Sequence, residues 1–427
     1  MKLKHFFILF LVMFFSFASV VSAAENVGER RVRDSIRVSL VTCDPGKEIY
    51  ALFGHTAIHV TDETTGMDLA FNYGMFNFRS ENFIYRFVKG ETDYELGLQD
   101  WTDFKASYKA RGITVYEQVL NMSYAEKMEL CRILFENYKP ENRIYRYNYF
   151  YDNCTTRARD MIERSIPGGL NYDCRWERKT YRQVVHEFTA PSPWVELGID
   201  FCLGAEADRK LDEREQMFIP SYLMDAFSRA TAKIDGRGEL VPVVKSEEIA
   251  VEVIPEDDWQ FPVSPLVFFW IFFGVGVVLF VVQLVSKRIF WGYDVLLLCL
   301  QGLAGILVAY LFFFSIHPTV GSNWLVMIFN PVPLVWLPFM VYRSNRHKRD
   351  VLHAVNVAVL CLFILLMPVI PQDFNNAVLP MALILLLQSS VHLLLRPENR
   401  LKSVERMFGK IVRDTKNKLY NKGKQLG

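Results

Sequence analysis

Five long apolar stretches fill the C-terminal part of the chain, and they constrain the fold more than anything upstream of them. They cover residues 265–285, 293–316, 324–342, 351–370 and 377–395. Each approaches the ~20 residues with which a helix crosses ~30 Å of hydrocarbon. In lipid every backbone group must bond inside its own segment, so such stretches are read as helices, here a five-helix transmembrane bundle. The connecting loops alternate in charge. Lys287-Arg288, the run 343–349 and the tail after Arg396 are basic, whereas 317–323 is uncharged and 371–376 carries only Asp373. Basic loops favour the cytoplasm. The first span is therefore expected to run outside to inside, with the C-terminus cytoplasmic.

The opposite end of the chain agrees. Lys2, Lys4 and His5 precede an apolar run over 6–21, and Ser22-Ala23-Ala24 supplies small residues for cleavage. This is the pattern of a secretory signal peptide. An uncleaved anchor helix is the alternative, and either one exports the domain behind it. The expected organisation is a signal peptide over 1–24, an exported domain over 25–240, a linker over 241–264, the membrane bundle over 265–395 and a basic tail over 396–427. In that tail Val404, Phe408, Ile411 and Val412 recur at helical spacing, which suits an anionic membrane surface. A net charge of +1 on 427 residues gives no support for a nucleic-acid partner.

The exported domain reads as α+β. Residues 37–41, 55–61 and 69–73 alternate or are rich in β-branched side chains, and turn residues at 44–46 and 62–68 separate them. They predict an antiparallel meander, and 113–119 predicts a further strand. Ser123-Tyr124-Ala125-Glu126 is a capping box that opens a helix to about Tyr138, ahead of Pro140. Tyr145, Tyr147, Tyr149 and Tyr151 lead, extended or irregular, into a second helix that begins at Asp152 or Asn153 and stops at Pro167-Gly168-Gly169. A third helix is expected over 181–188. The prolines and acids of 239–262 read as a linker.

Five of the seven cysteines fall in the exported domain: Cys43, Cys131, Cys154, Cys174 and Cys202. The number is odd, and an oxidising compartment allows Cys174 to pair with Cys202. Cys43 and Cys131 lie on apolar faces and read as packed. Cys154 opens a helix, where unpaired amides favour negative charge and thiol pKa values fall. The same amides can hold an oxyanion. A small buried residue is the bland alternative. His55, after Gly54, opens a strand, and an imidazole there can take the thiol proton and return it later. Asn72 on the next strand is the first choice to orient that ring, ahead of Asp68 and Tyr73. His59 lies on the same strand face as His55, but four residues of strand separate them by ~13 Å, too far to share a metal. His59 therefore reads as structural or as a substrate contact. His186 reads as surface or packed. No metal or cofactor is expected. There is no G-x-S-x-G, no phosphate loop and no C-x-x-C, which argues against a serine hydrolase, a nucleotide enzyme and a dithiol oxidoreductase.

A strand histidine first and an Asn-Cys helix start later resembles the circularly permuted relatives of the papain and NlpC-type fold, lecithin retinol acyltransferase among them, whose H-x-x-I motif is similar to His55-Thr56-Ala57-Ile58. Leu40-Val41-Thr42-Cys43-Asp44-Pro45-Gly46, Phe53-Gly54-His55-Thr56-Ala57, Phe71-Asn72-Tyr73-Gly74 and Tyr151-Asp152-Asn153-Cys154-Thr155-Thr156-Arg157 more closely resemble the periplasmic domain of the Lnb-type lipoprotein N-acyltransferases. That resemblance covers about residues 34–240. It implies Cys154 as the acyl-carrying nucleophile and His55 as its base, with Asn72 as the third group. Asn153, Tyr151, Arg157 and His59 are the candidate substrate contacts, although solvated surface arginines are the simpler reading of Arg157 and Arg159. The implied reaction moves an acyl chain from a membrane phospholipid through a Cys154 thioester to the α-amine of a diacylated apolipoprotein. A papain-like cell-wall peptidase or amidase, a lipid hydrolase and a tethered binding domain are the competing expectations.

Overall fold

A computed structural model describes residues 34–76, 81–254, 261–345 and 350–395. The expected signal peptide and basic tail lie outside the described residues, as do 346–349 and 255–260. The predicted meander is present as β1 (Ile36–Cys43), β2 (His55–Asp62) and β3 (Met67–Met75), with Cys43 opposite His55 and Ile58 opposite Phe71. Strands β4 (Asp93–Asp100), β5 (Val115–Leu120) and β6 (Ile144–Arg146) extend it on both sides. Two-residue strands β7 (Leu170–Asn171), β8 (Thr231–Ala232) and β9 (Val241–Pro242) form a separate small sheet. Strand β10 (Val244–Val251) pairs with β5, giving a seven-stranded antiparallel sheet in the order β10-β5-β1-β2-β3-β4-β6. This corrects the linker expected over 241–264. Its first half is an edge strand whose solvent-facing Lys245, Glu247 and Glu248 imitate a linker in the sequence.

Helices cover both faces of the large sheet. In chain order they are α1 (Phe83–Lys89), α2 (Trp101–Ala110), α3 (Tyr124–Tyr138), α4 (Cys154–Ser165), α5 (Tyr181–Thr189), α6 (Pro193–Cys202) and α7 (Pro220–Arg229). Trp101, Phe104 and Tyr108 of α2 pack on Val41, Ala57 and Ala70. On the other face, Leu130, Ile162, Leu223 and Phe227 pack on Leu40, Ile58 and Phe71. The helix starts are fixed by their caps. Ser123 and Glu126 exchange hydrogen bonds ahead of α3, and Thr180 and Gln183 do the same ahead of α5.

The apolar stretches form α8 (Pro265–Ser286), α9 (Trp291–Phe314), α10 (Val332–Asn345), α11 (Val351–Leu366) and α12 (Val378–Leu395). Four segments are long and apolar enough to cross a membrane: Pro265–Ser286, Trp291–Phe314, Trp324–Arg343 and Val378–Leu395. The third is interrupted. A 3-10 turn at Trp324–Met327 precedes Asn330-Pro331, and α10 starts only after it. A Cβ at Gly305 would lie 2.3 Å from the Asn330 backbone, so glycine lets α9 press against this break. The fourth stretch in order, expected to span over 351–370, holds only 16 residues of helix, because Pro368 follows its C-cap at Met367.

Buried polar contacts join the sheet domain to the bundle. The Ile316 amide donates to Lys89 O at 2.9 Å, and the Gly204 amide donates to Thr319 O at 2.7 Å. Asn323 donates to Phe201 O at 2.8 Å, and Asn375 donates to the Asp200 carboxylate at 2.9 Å. Behind them the buried Arg182 pairs with Asp200 and with Asp208, each at 2.7 Å. Removing one side of such a pair leaves a buried charge uncompensated. Arg182→Ala is therefore expected to cost about 3–5 kcal/mol and to lower the thermal midpoint of the detergent-solubilised protein. Arg175→Ala, at an exposed pair with Asp173, is expected to stay within about 0.5 kcal/mol. Equal midpoints for the two variants would show that the Arg182 network holds nothing together.

Candidate active site

His55 enters β2 directly from Gly54, whose φ is +77°. A Cβ at residue 54 would lie 2.5 Å from the Cys43 carbonyl oxygen, so only glycine lets β2 begin there. Cys154 is the first residue of α4. Asn153 caps that helix, its Oδ1 accepting from the Thr155 and Thr156 amides at 2.9 Å each. Its Nδ2 donates to Tyr149 O and Phe218 O, both at 2.8 Å. Asn153 thus ties the start of α4 to two neighbouring loops and fixes the position of the sulfur.

His55 meets Cys154 at this point. The imidazole hydrogen-bonds the thiol, and its Nε2 also bonds Asn72 Oδ1. An amide oxygen only accepts, so Nε2 carries the hydrogen and Nδ1 is left for the sulfur. Burial pushes the Cys154 thiol up, but the charge and hydrogen bond of His55, the Thr56 amide and the Thr155 hydroxyl outweigh it and bring the thiol down to about 7. Burial likewise pulls the His55 pKa down, and the Cys154 charge and its hydrogen bond outweigh that, so it is raised. The pair is disposed to exist as thiolate and imidazolium. Other thiols of the domain move the opposite way. Burial raises Cys131, Cys174 and Cys202 to about 11 each, and it raises Cys43 further still. Cys174 and Cys202, expected as a possible disulfide, are free: Cys174 packs against the main core, while Cys202 ends α6.

The thiol opens on a cavity of about 680 Å³. His55, Asn72, Tyr149 and Cys154 line one end, and Phe53, Phe76, Phe83, Ile84 and Phe87 supply apolar wall. Part of its boundary comes from the bundle, through His317, Pro318, Thr319 and Val320 between α9 and α10, and the rest from the sheet domain. The volume lies within the ~300–1,000 Å³ usual for small-molecule sites. Ile84, 78% exposed on the short helix α1, also offers apolar surface outward beside the bundle.

The sequence-predicted residues divide. His55, Asn72, Asn153 and Cys154 line the cavity, and Tyr151, Arg157 and His59 do not. His59 is 2% exposed, bonded to Glu117 at 2.8 Å and Asp68 at 2.7 Å and stacked on Trp101, enclosed within the sheet domain away from the cavity. Arg157 donates from Nε and Nη2 to the two oxygens of Asp152 and lies over the Tyr145 ring, outside the cavity lining. Tyr151 points its hydroxyl to Glu206 at 3.4 Å. Asn153 lines the cavity with its amide oxygen and nitrogen both engaged in capping α4. Of the first-turn amides expected to hold an oxyanion, two are taken by Asn153, leaving that of Cys154 itself. Two groups went unforeseen. One is the Thr56 amide at the sulfur. The other is Tyr149, whose buried hydroxyl has no hydrogen-bond partner among the described residues. Burial first, and then the nearby Cys154 charge, raise the Tyr149 pKa and keep it a donor. The tyrosine alternation was its only signal, and that did not say which ring faces the thiol.

A low-pKa thiol, an oriented imidazole and an apolar chamber shared with a helical bundle define a membrane-anchored thiol domain. The family model for the Lnb N-terminal periplasmic domain matches residues 26–187, and that for the Lnb transmembrane domain matches residues 256–400. The two matches support an Lnb-type membrane protein, with a periplasmic domain followed by a transmembrane one. No curated protein and no solved structure matches the chain.

The shift in Cys154 has a direct consequence. Alkylation of Cys154 by iodoacetamide is expected to rise with pH about a midpoint near 7. His55→Ala should move the midpoint up toward the ordinary thiol range. At neutral pH it should slow labelling about fivefold to tenfold, the smaller thiolate fraction being partly offset by the higher nucleophilicity of a more basic thiol. Unchanged pH profiles, read by intact-protein mass spectrometry, would show that the imidazole does not activate the sulfur.

Proposed function

We propose that the protein is a lipoprotein N-acyltransferase of the inner membrane, with the Cys154 domain in the periplasm and the C-terminus in the cytoplasm. The observation that carries this reading is the continuous cavity running from an activated thiol to loops of a membrane bundle. The donor is a phospholipid, and the acceptor is the α-amine of a diacylglyceryl-cysteine apolipoprotein. An antiparallel sheet with the thiol helix packed on it is compatible with a permuted papain/NlpC-like fold, to which we assign the domain.

The Cys154 thiolate attacks an ester carbonyl carbon of the phospholipid. A C–S bond forms, and the negative charge moves to the carbonyl oxygen, where the Cys154 amide and the Tyr149 hydroxyl are the available donors. Collapse of this intermediate breaks the C–O bond, and the His55 imidazolium gives its proton to the departing lysophospholipid oxygen. The acyl chain, now a thioester, rests in the apolar chamber. The lipoprotein amine then attacks the thioester carbonyl, and neutral His55 takes the amine proton. The amide forms, the C–S bond breaks and the thiolate–imidazolium pair returns. Asn72 holds the ring in one tautomer throughout. Anchoring the site in the leaflet that carries both substrates raises their local concentration.

The apolar cavity favours a lipid over a cell-wall peptide. Hydrolysis remains the chemical neighbour, since water in place of the amine would end the same thioester. Incubating purified protein with phospholipid vesicles is expected to place one acyl group on Cys154, visible as a hydroxylamine-labile mass increase and missing in Cys154→Ala. Cells with Cys154→Ala and no second transferase are expected to yield lipoprotein N-termini without the N-acyl chain. Retention of that chain, or release of the acyl group only as free fatty acid when apolipoprotein is supplied, would refute the reading.

A further inference from the structure

A second polar cluster lies far from Cys154, inside the bundle. Asp294 stands in the first turn of α9, so about 30 Å of helix separates it from the Phe314 end that meets the sheet domain. His353 of α11 and His392 of α12 converge on it. The three side chains come from three helices and are all but fully buried. Each offers one ligand atom, and those atoms lie within 4.8 Å of one another. We propose that Asp294, His353 and His392 bind a divalent transition-metal cation of the zinc type.

Four observations support this. Ionisable groups are scarce in an apolar bundle, and those present usually serve a purpose. The His353 and His392 rings stack with centroids 3.6 Å apart, which places two imidazoles side by side next to the carboxylate. The buried Nδ1 of His392 has no hydrogen-bond partner among the described residues, although its Nε2 lies 2.9 Å from Asp294 Oδ2. Finally, the carboxylate is supported from behind. Gln388 donates to Asp294 Oδ1, and Gln283 donates to Gln388 Oε1 at 2.9 Å while accepting from the Phe290 amide at 2.8 Å. Such outer partners orient metal ligands. Two imidazoles and one carboxylate are a donor set suited to zinc, with a further position left for water. The cation would clamp α9, α11 and α12 together at the end of the bundle away from the thiol.

The test uses the full chain, purified in detergent with an affinity tag that contains no histidine. Elemental mass spectrometry is expected to find about one zinc per chain after gel filtration. Protein stripped by a chelator and reloaded with Co2+ should show visible d–d absorption bands. Asp294→Asn and His392→Gln should each weaken metal retention at least ~10-fold while the Cys154 alkylation rate stays that of the parent. Cys154→Ala should keep its metal, which excludes the thiol as the source. Wild-type protein that carries no zinc and gives no Co2+ bands on reloading would overturn the proposal and leave a hydrogen-bonded polar network only. That measurement decides the matter even if the variants fail to fold, and it is independent of any acyl transfer.

Discussion

The contact between the Cys154 thiol and the His55 ring sets the terms for the exported domain. A buried thiol on its own is a poor nucleophile, because removal from water disfavours its charged form. Cys131 and Cys202 show that outcome, while Cys154 escapes it through His55, the Thr56 amide and the Thr155 hydroxyl. Meeting these partners requires two backbone devices that carry no chemistry themselves. Gly54 lets β2 begin close under the Cys43 carbonyl, and Asn153 fixes the first turn of α4 to the loops at Tyr149 and Phe218. Strand, helix and loop are joined at one point, so the site is as rigid as the sheet that carries it.

Orientation matters as much as proximity. With Asn72 accepting from Nε2, the imidazole presents Nδ1 to the sulfur. A ring turned the other way would offer a hydrogen where a lone pair is needed. An amide suits this duty better than a carboxylate here. It holds the tautomer without adding a second negative charge beside the thiolate, which would raise the thiol pKa. The carboxylates nearest in sequence are placed elsewhere: Asp68 serves His59, and Asp152 serves Arg157.

Local signals in the sequence were legible where a short run fixed its own geometry. The strands of the meander, the capping box at Ser123 and the helix start at Cys154 need only neighbouring residues, and all are present. So is the approach of Asn72 to His55, which depends on a single hairpin register. Readings that depended on distant partners fared worse. Arg157 looked free in the sequence, whereas Asp152 takes its Nε and Nη2 and the Tyr145 ring stacks on its guanidinium. His59 looked available until Glu117, 58 residues away, and Trp101 enclosed it. Strand β10 looked like a linker because its side chains from Lys245 to Ile249 are all exposed, which leaves no apolar alternation to betray it. The Asp294, His353 and His392 cluster was invisible for the same reason, since its members sit on three helices and each alone is an ordinary polar residue in an apolar run.

The cavity's boundary explains why domain and bundle are bonded to each other rather than merely linked. Were the bundle a simple anchor, the natural solution would be a flexible tether and a wet gap. Instead Gly204, Asn323 and Asn375 bond across the boundary, and Arg182 neutralises the carboxylates that the contact buries. Sealing polar groups this way costs desolvation and gains little net stability. What it does gain is registration. Loop 317–320 is held as a wall of the chamber, and α1, bonded through Lys89 to Ile316, is held with Ile84 and Phe87 beside the bundle. On the proposed acyltransferase reading, a chamber assembled from both parts holds its acyl chain only while they stay in register. On that reading the polar boundary serves the chemistry by registration: the bonds of Gly204, Asn323 and Asn375 keep both halves of the chamber in place around the thiol.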